Sequence, residues 1–422
     1  MAEIRQPHKT DSQKSWRRRD TKFRDKRWKR KLWSRPFSAA GWLHRFASDW
    51  PLRFDGQSGQ VAPLFANNDM DLSMFFASDN WAGVHPNIAG GLSANAGGFS
   101  TAYGDGELDL AVYRHFSEVF EREVAVFFVA TGTAANSLSL TAYSKPGGIS
   151  FAHRESHIVE DECGAPEYFS GGSRLHAVDG ALGKIDAHNL ERAISRFAPE
   201  IVHWGRPTAV SITQSTEVGT VYGLDDISAI SQIAKRYSLP LHMDGARFAN
   251  ALVALETTPA EMTWKRGVDI VSFGGTKNGC WCAEAVVLFD LDRAKELAFL
   301  RKRAAQLLSK SRFIAAQFDA YFKDGLWLDT ARHANAMAAR LAAAIEDSAT
   351  AKLAWLPQAN EVFAVMKKTE AEGLQAAGAA FYDWHKPHSF EGHIGEDELL
   401  YRFVTSFATT ADEVDRFGQL IA

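Results

Sequence analysis

The sequence predicts an α/β protein, with a large domain built on a mostly parallel sheet and a small C-terminal α+β domain. Three observations carry the prediction. Short apolar runs alternate with helical stretches from Glu123 onward, the chain turns strongly helical after Leu291, and the tail holds only two strand-like runs. Residues 124–129 form a continuous apolar run, as in a strand buried on both faces. Similar runs recur at 148–153, 209–213, 239–243, 269–273 and 285–289, with helical stretches such as 225–237 between several of them. This alternation implies parallel strands covered by helices. Arg- and Ala-rich helical segments continue to about residue 348, and residues 350–422 add strand-like runs at 361–366 and 399–405 and a closing helix. The expected organisation is a basic leader over 1–70, a large domain over 75–325 and a small domain over 326–422, with no internal repeat.

Composition sets the outer limits. The chain has 422 residues, 46% hydrophobic and 23% charged, an ordinary globular balance that fits one large and one small domain. No run of about 18 apolar residues suggests a membrane span. No apolar stretch follows the basic start to make a secretory signal. The three cysteines, Cys163, Cys280 and Cys282, argue against a disulfide framework and for a reducing cytoplasm. Cys280-Trp281-Cys282 lacks a second ligand pair at zinc spacing and reads as buried packing, so no metal is expected.

Net charge is −4 but unevenly spread: residues 1–35 hold a balance of +10, leaving −14 on the remainder. Arg17-Arg18-Arg19 and Lys29-Arg30-Lys31 alternate with Trp16, Phe23, Trp28 and Trp33, a composition able to touch nucleic acid or an anionic membrane. The plainer readings are a disordered tail or a leader absent from the working protein, with Met70 or Met74 as the start. No spacing matches a nucleic-acid fold, so the plainer readings are preferred. Four acids make the segment a poor mitochondrial presequence.

Four motifs carry chemistry. In Asp269-Ile-Val-Ser-Phe-Gly-Gly-Thr-Lys277 a buried strand ends in small residues and presents one lysine. Open α/β sheets place ligands at strand C-termini, and a desolvated lysine there can attack an aldehyde; the alternative is a solvated surface lysine. Leu239-Pro-Leu-His-Met-Asp244-Gly-Ala-Arg247 is a second strand ending in an acid. Pyridoxal 5′-phosphate (PLP) needs a carboxylate at its ring nitrogen, and Asp244 suits that role unless it pairs with Arg247. Ala130-Thr131-Gly132-Thr133 follows the first buried strand and opens a helix, a place for a phosphate or a simple N-cap. Glu155-Ser-His157-Ile-Val-Glu-Asp-Glu162 brings a histidine and acids to the same layer, although a lone histidine is more often structural.

Their order is phosphate loop, ring-stacking group, ring-nitrogen acid and Schiff-base lysine. That is the order of fold-type I PLP enzymes, the aspartate aminotransferase-like fold. Within it, residues 75–420 resemble the threonine aldolase branch of the aromatic amino acid β-eliminating lyase/threonine aldolase family. The most specific pieces are His-Met-Asp244-Gly-Ala-Arg247-Phe-Ala-Asn and Ser272-Phe-Gly-Gly-Thr-Lys277-Asn-Gly.

The resemblance implies cleavage of β-hydroxy-α-amino acids to glycine and an aldehyde, with PLP held by Lys277, Asp244, Gly132, Thr133, His157 and Arg247. Lys277, His157 and Asp244 would be catalytic. Ser78, Arg247 and Arg402 would hold the substrate carboxylate. Tyr103-Gly104-Asp105 resembles a subunit-interface segment, implying a homotetramer with sites at dimer interfaces. Where many members carry Glu-Asn-Thr-His-Asn-Gly, this chain has Gln214-Ser-Thr-Glu217-Val-Gly219, placing Glu217 where a histidine faces the substrate hydroxyl. The alternatives are another PLP-dependent β-elimination or transamination, or a nucleic-acid- or membrane-associated protein acting through its leader.

Overall fold

The computed structural model describes residues 73–198 and 200–422. The expected leader over 1–70 lies outside the described residues, as do the readings placed on it. In chain order the strands are β1 (Met74–Phe75), β2 (Ala125–Val129), β3 (Gly148–His153), β4 (Arg174–Val178), β5 (Arg206–Thr213), β6 (Leu241–Gly245) and β7 (Ile270–Gly274). They continue with β8 (Glu284–Leu288), β9 (Ala351–Leu353), β10 (Glu361–Lys367), β11 (Ala379–Ala380), β12 (Tyr382–Trp384) and β13 (Glu398–Val404).

Seven strands form a central sheet in the order β2-β8-β7-β6-β5-β3-β4. Strands β7, β6, β5, β3 and β4 run parallel, whereas β8 is antiparallel to both β7 and β2. All six apolar runs marked in the sequence contain strands. The run at 239–243 is displaced to Leu241–Gly245, because Pro240 has no N–H to donate and pairing begins after it. The edge strand β4 was not marked; its residues Arg174–Ala177 stay exposed or half-buried, so it lacks the apolar run of a strand enclosed on both faces.

This topology gathers one edge. The C-terminal ends of β2, β3, β5, β6 and β7 meet there, together with the N-terminal end of the reversed β8. Thr213 pairs with Asp244, Asp244 with Ser272, and Glu284 with both Gly274 and Val129. Beneath β7, Phe273 packs edge-on against Phe116 with centroids 5.2 Å apart and touches Phe248 at 5.2 Å. Each such fully buried ring contributes roughly 1.5–3 kcal/mol of transfer free energy, which holds the strand that delivers Lys277. The turn after it is clamped by Asn278, whose Nδ2 donates to Tyr321 Oη and to Trp327 O at 2.8 Å each.

The second sheet is antiparallel, in the order β12-β13-β10-β9. Helices Leu326–Glu346 and Ala411–Ile421 bury apolar side chains against it, where Leu341, Val362, Phe403 and Phe417 share one cluster with Met74 and Phe76. Strand β1 pairs in parallel with β11, and Phe76 packs 5.5 Å from Phe417. The segment leading to Ser78 is therefore anchored to the C-terminal part of the chain. No helix among the described residues is long and apolar enough to cross a membrane.

Candidate active site

The sheet edge opens into a cavity of about 470 Å³. All nine predicted site residues line it: Ser78, Gly132, Thr133, His157, Glu217, Asp244, Arg247, Lys277 and Arg402. Lys277 lies in the one-turn 3-10 segment that follows β7. Gly274 permits this approach, since a Cβ there would sit 2.6 Å from Ala246 O, closer than any real carbon tolerates. The close approach puts the lysine turn beside the segment carrying Asp244 and Arg247.

Asp244 is 3% exposed and makes no ion pair among the described residues. Its Oδ1 accepts from Ala246 N at 3.0 Å and its Oδ2 from Asn136 Nδ2 at 2.7 Å. The alternative of a pair with Arg247 is not what the structure has. Arg247 instead makes a bidentate contact with Asp79, Nε to Oδ2 at 2.7 Å and Nη2 to Oδ1 at 3.1 Å, and its Nη1 lies 3.1 Å from Glu361 Oε2. Burial works against the Arg247 charge, but the two carboxylates outweigh it and hold its proton more firmly than usual. Arg402 has looser company: its Nη1 is 3.8 Å from Glu361 Oε1 and its guanidinium lies 3.8 Å over the Trp384 ring. Ser78 Oγ accepts from Asn80 N at 3.1 Å, so that hydroxyl caps a turn as well as lining the cavity.

A chain of hydrogen bonds connects Asp244 to His157. Asn136 Nδ2 also donates to Glu162 Oε1 at 2.8 Å, and Glu162 Oε1 lies 2.9 Å from His157 Nδ1. The bond to Glu162 raises the His157 pKa against the effect of burial. Burial raises Glu162 as well, so the pair retains a proton more readily than either group would in water.

At the far end, Thr131 caps the helix Gly132–Thr141 by accepting from Ala134 N at 3.1 Å. The N-cap alternative is thus realised, and it leaves the amides of Gly132 and Thr133 without partners inside the helix. A Cβ added at Gly132 would meet nothing within 4 Å, so there is open space at the backbone where an anion would approach.

Two further acids in the lining have shifted pKa values. Glu217 Oε1 accepts from His157 N at 2.6 Å and Thr213 Oγ1 at 3.0 Å. Burial, reinforced by the Asp244 charge, pushes the Glu217 carboxyl up to about 7. Glu284, 6% exposed at the start of β8, accepts from Thr276 N at 3.3 Å, and burial likewise pushes it up to about 7. Sequence reasoning missed Glu284, Asn136, Asp79 and Glu361 as parts of the site.

Fold and site together define an α/β enzyme with a lysine, an acid and a helix N-terminus converging at one sheet edge. The chain matches the beta-eliminating lyase family over residues 76–369 and belongs to it. A low specificity L-threonine aldolase of Pseudomonas sp. is 41% identical over 313 residues, covering 74% of this chain and 90% of that protein. One from Pseudomonas aeruginosa is 39% identical over 345 residues, covering 82% of this chain and 96% of that protein. The structure of Leishmania major threonine aldolase superposes with a TM-score of 0.76 at 28% identity, covering 83% of this chain and 98% of that one.

Proposed function

We propose that this protein cleaves the Cα–Cβ bond of L-threonine, L-allo-threonine and related β-hydroxy-α-amino acids, phenylserine included. The products are glycine and an aldehyde, and PLP is the cofactor. The observation that carries the reading is Asp244: a buried carboxylate with no paired cation among the described residues, on the edge that also presents Lys277 and an open helix N-terminus.

The residues fit PLP. Asp244 supplies the negative charge that a protonated pyridine nitrogen requires, and an unpaired buried acid is costly without such a partner. The Gly132 and Thr133 amides and the Thr133 hydroxyl suit a phosphate. Lys277 supplies the amine for the aldehyde, and His157 lines the cavity where it can cover a ring face. When bound, PLP joins the substrate amino group and draws electrons away from Cα.

The remaining work falls to the protein. Ser78, Arg247 and Arg402 hold the substrate carboxylate. Arg247 is fixed by Asp79 and Glu361 and acts as a rigid donor, whereas Arg402 has the freer guanidinium. Fixing that carboxylate would orient the substrate so that its Cα–Cβ bond is the one presented for cleavage. The hydrogen-bonded pair of His157 and Glu162 keeps a proton in the cavity. We place the working protein in the cytoplasm as a homotetramer. Its relatives carry the aldolase name over most of their length, which supports the reaction assigned here.

Product analysis tests the reading. Purified, PLP-loaded protein given threonine, allo-threonine and phenylserine in turn is expected to release glycine and the matching aldehyde in equal amounts. Ammonia with a keto acid as the main products would establish elimination or transamination instead.

A further inference from the structure

Glu217 occupies the loop that follows β5, and one of its carboxyl oxygens is fixed while the other is free. Oε1 is held twice, by the His157 amide at 2.6 Å and the Thr213 hydroxyl at 3.0 Å. Oε2 is shielded from solvent and has no hydrogen-bond partner among the described residues. A buried carboxyl oxygen without a donor is costly, so a structural role alone leaves it unexplained. The residue lines the same cavity as Lys277 and Asp244. A purely structural acid would also be expected to pair with a cation. Arg247 feels the Glu217 charge but is already held by Asp79 and Glu361.

We propose that Glu217 is a catalytic residue, the base that removes the proton from the substrate's β-hydroxyl during cleavage. This rests on the aldol reading above. The Glu217 carboxylate takes the hydroxyl proton as the Cβ–O bond becomes a carbonyl. The Cα–Cβ bond breaks and its electron pair remains on the amino-acid side. Cα then gains one proton to give glycine, equal in number to the proton removed from the hydroxyl, so no outside acid, oxidant or reductant is consumed.

The electrostatics suit the role. A base works best when it titrates near the operating pH, and burial with the neighbouring Asp244 charge places this carboxyl at about 7. The charged and titratable groups around it are His157, Asp244, Arg247 and Tyr222. His157 is less suited to accept the proton, because its bond to Glu162 already favours the protonated ring. In this arrangement His157 anchors Glu217 through its backbone amide, and the second carboxyl oxygen has no partner among the described residues.

The test uses Glu217→Gln, which retains an oxygen for the His157 amide and the Thr213 hydroxyl but cannot take a proton. Threonine cleavage should fall by about 100-fold or more, the scale of a lost general base. The parent's kcat/KM should fall tenfold per pH unit below about 7, and that acid limb should disappear in the variant. Glycine has no hydroxyl, so its dissociation constant, read from the cofactor absorbance, should move by less than about threefold. Infrared titration of the cofactor-free chain supplies a readout independent of turnover. Two carboxylic acids, Glu217 and Glu284, should titrate near neutral pH in the parent, and one should vanish in the variant.

Near-parent cleavage by Glu217→Gln would overturn the proposal while leaving the aldol reading intact. So would glycine affinity falling in step with cleavage, or an infrared titration unchanged by the substitution. A parent enzyme that cleaves no β-hydroxy amino acid would overturn both.

Discussion

Replacing Asp79 with Asn should weaken the protein and loosen the substrate site together. Asp79 is 2% exposed and accepts three hydrogen bonds, from Arg247 Nε at 2.7 Å, Arg247 Nη2 at 3.1 Å and Asn360 Nδ2 at 3.1 Å. The amide keeps one acceptor but points N–H groups at a guanidinium that has only donors to offer. Breaking a buried pair by removing one charge costs about 3–5 kcal/mol. The expected loss lies near 3 kcal/mol, the lower end, because Glu361 still sits 3.1 Å from Arg247 Nη1. For roughly 350 folded residues this lowers the thermal midpoint by about 4 °C.

Arg247 should then lose its fixed orientation, so KM for threonine should rise by about tenfold or more while bound PLP remains. Calorimetry and steady-state kinetics on the loaded enzyme check both effects. Stability within about 0.5 kcal/mol of the parent, the scale of a neutral surface change, would show that the Asp79–Arg247 contact contributes little.

Three other outcomes follow from the same contacts. Asp244→Asn should retain PLP but lower turnover by about 100-fold, equivalent to about 2.7 kcal/mol, because the ring nitrogen loses its charge partner; an unchanged rate with cofactor bound would make Asp244 purely structural. His242 is enclosed between Ser211, 2.8 Å from its Nδ1, and Ser272, 2.9 Å from its Nε2, and burial lowers it to about 4. Its folded pKa lies below the unfolded value of about 6.5, so the unfolded chain binds the extra proton and stability falls as pH drops below about 6.5. At pH 5 this group should account for about 2 kcal/mol of loss relative to pH 8, and denaturant titrations of His242→Gln should show a loss smaller by that amount. A chain starting at Met70 should keep cofactor binding, oligomerisation and cleavage, since every residue lining the cavity lies beyond it; a large drop in kcat/KM or thermal midpoint would place the preceding residues in the working enzyme.

Much of this arrangement is legible in the sequence because strand ends write it locally. Asp244 and Lys277 each close an apolar run, and the parallel pairing of β6 with β7 puts them on one edge; Thr131-Gly132-Thr133 follows a third run, which reaches that edge through the antiparallel β8. The supporting groups are hidden for separate physical reasons. Glu284 begins a strand, and only the antiparallel course of β8 brings that start to the edge where the other strands finish. Asn136 lies within a helix of small residues, and nothing in its neighbours marks it as the donor shared by Asp244 and Glu162. Asp79 and Glu361 meet at Arg247 from opposite ends of the chain, a contact set by the packing of β10 and of the segment behind β1. Glu217 was marked by its position, but its free oxygen became visible only with the loop folded against His157.

The lysine at the end of β7 is expected to carry the cofactor. Protein loaded with PLP can be reduced with borohydride, digested, and mapped by mass spectrometry for the phosphopyridoxyl group. The group should sit on Lys277, and Lys277→Ala should lose both the modification and the visible cofactor absorbance. A modification on another lysine, or a Lys277→Ala protein that keeps the absorbance and near-normal turnover, would contradict it.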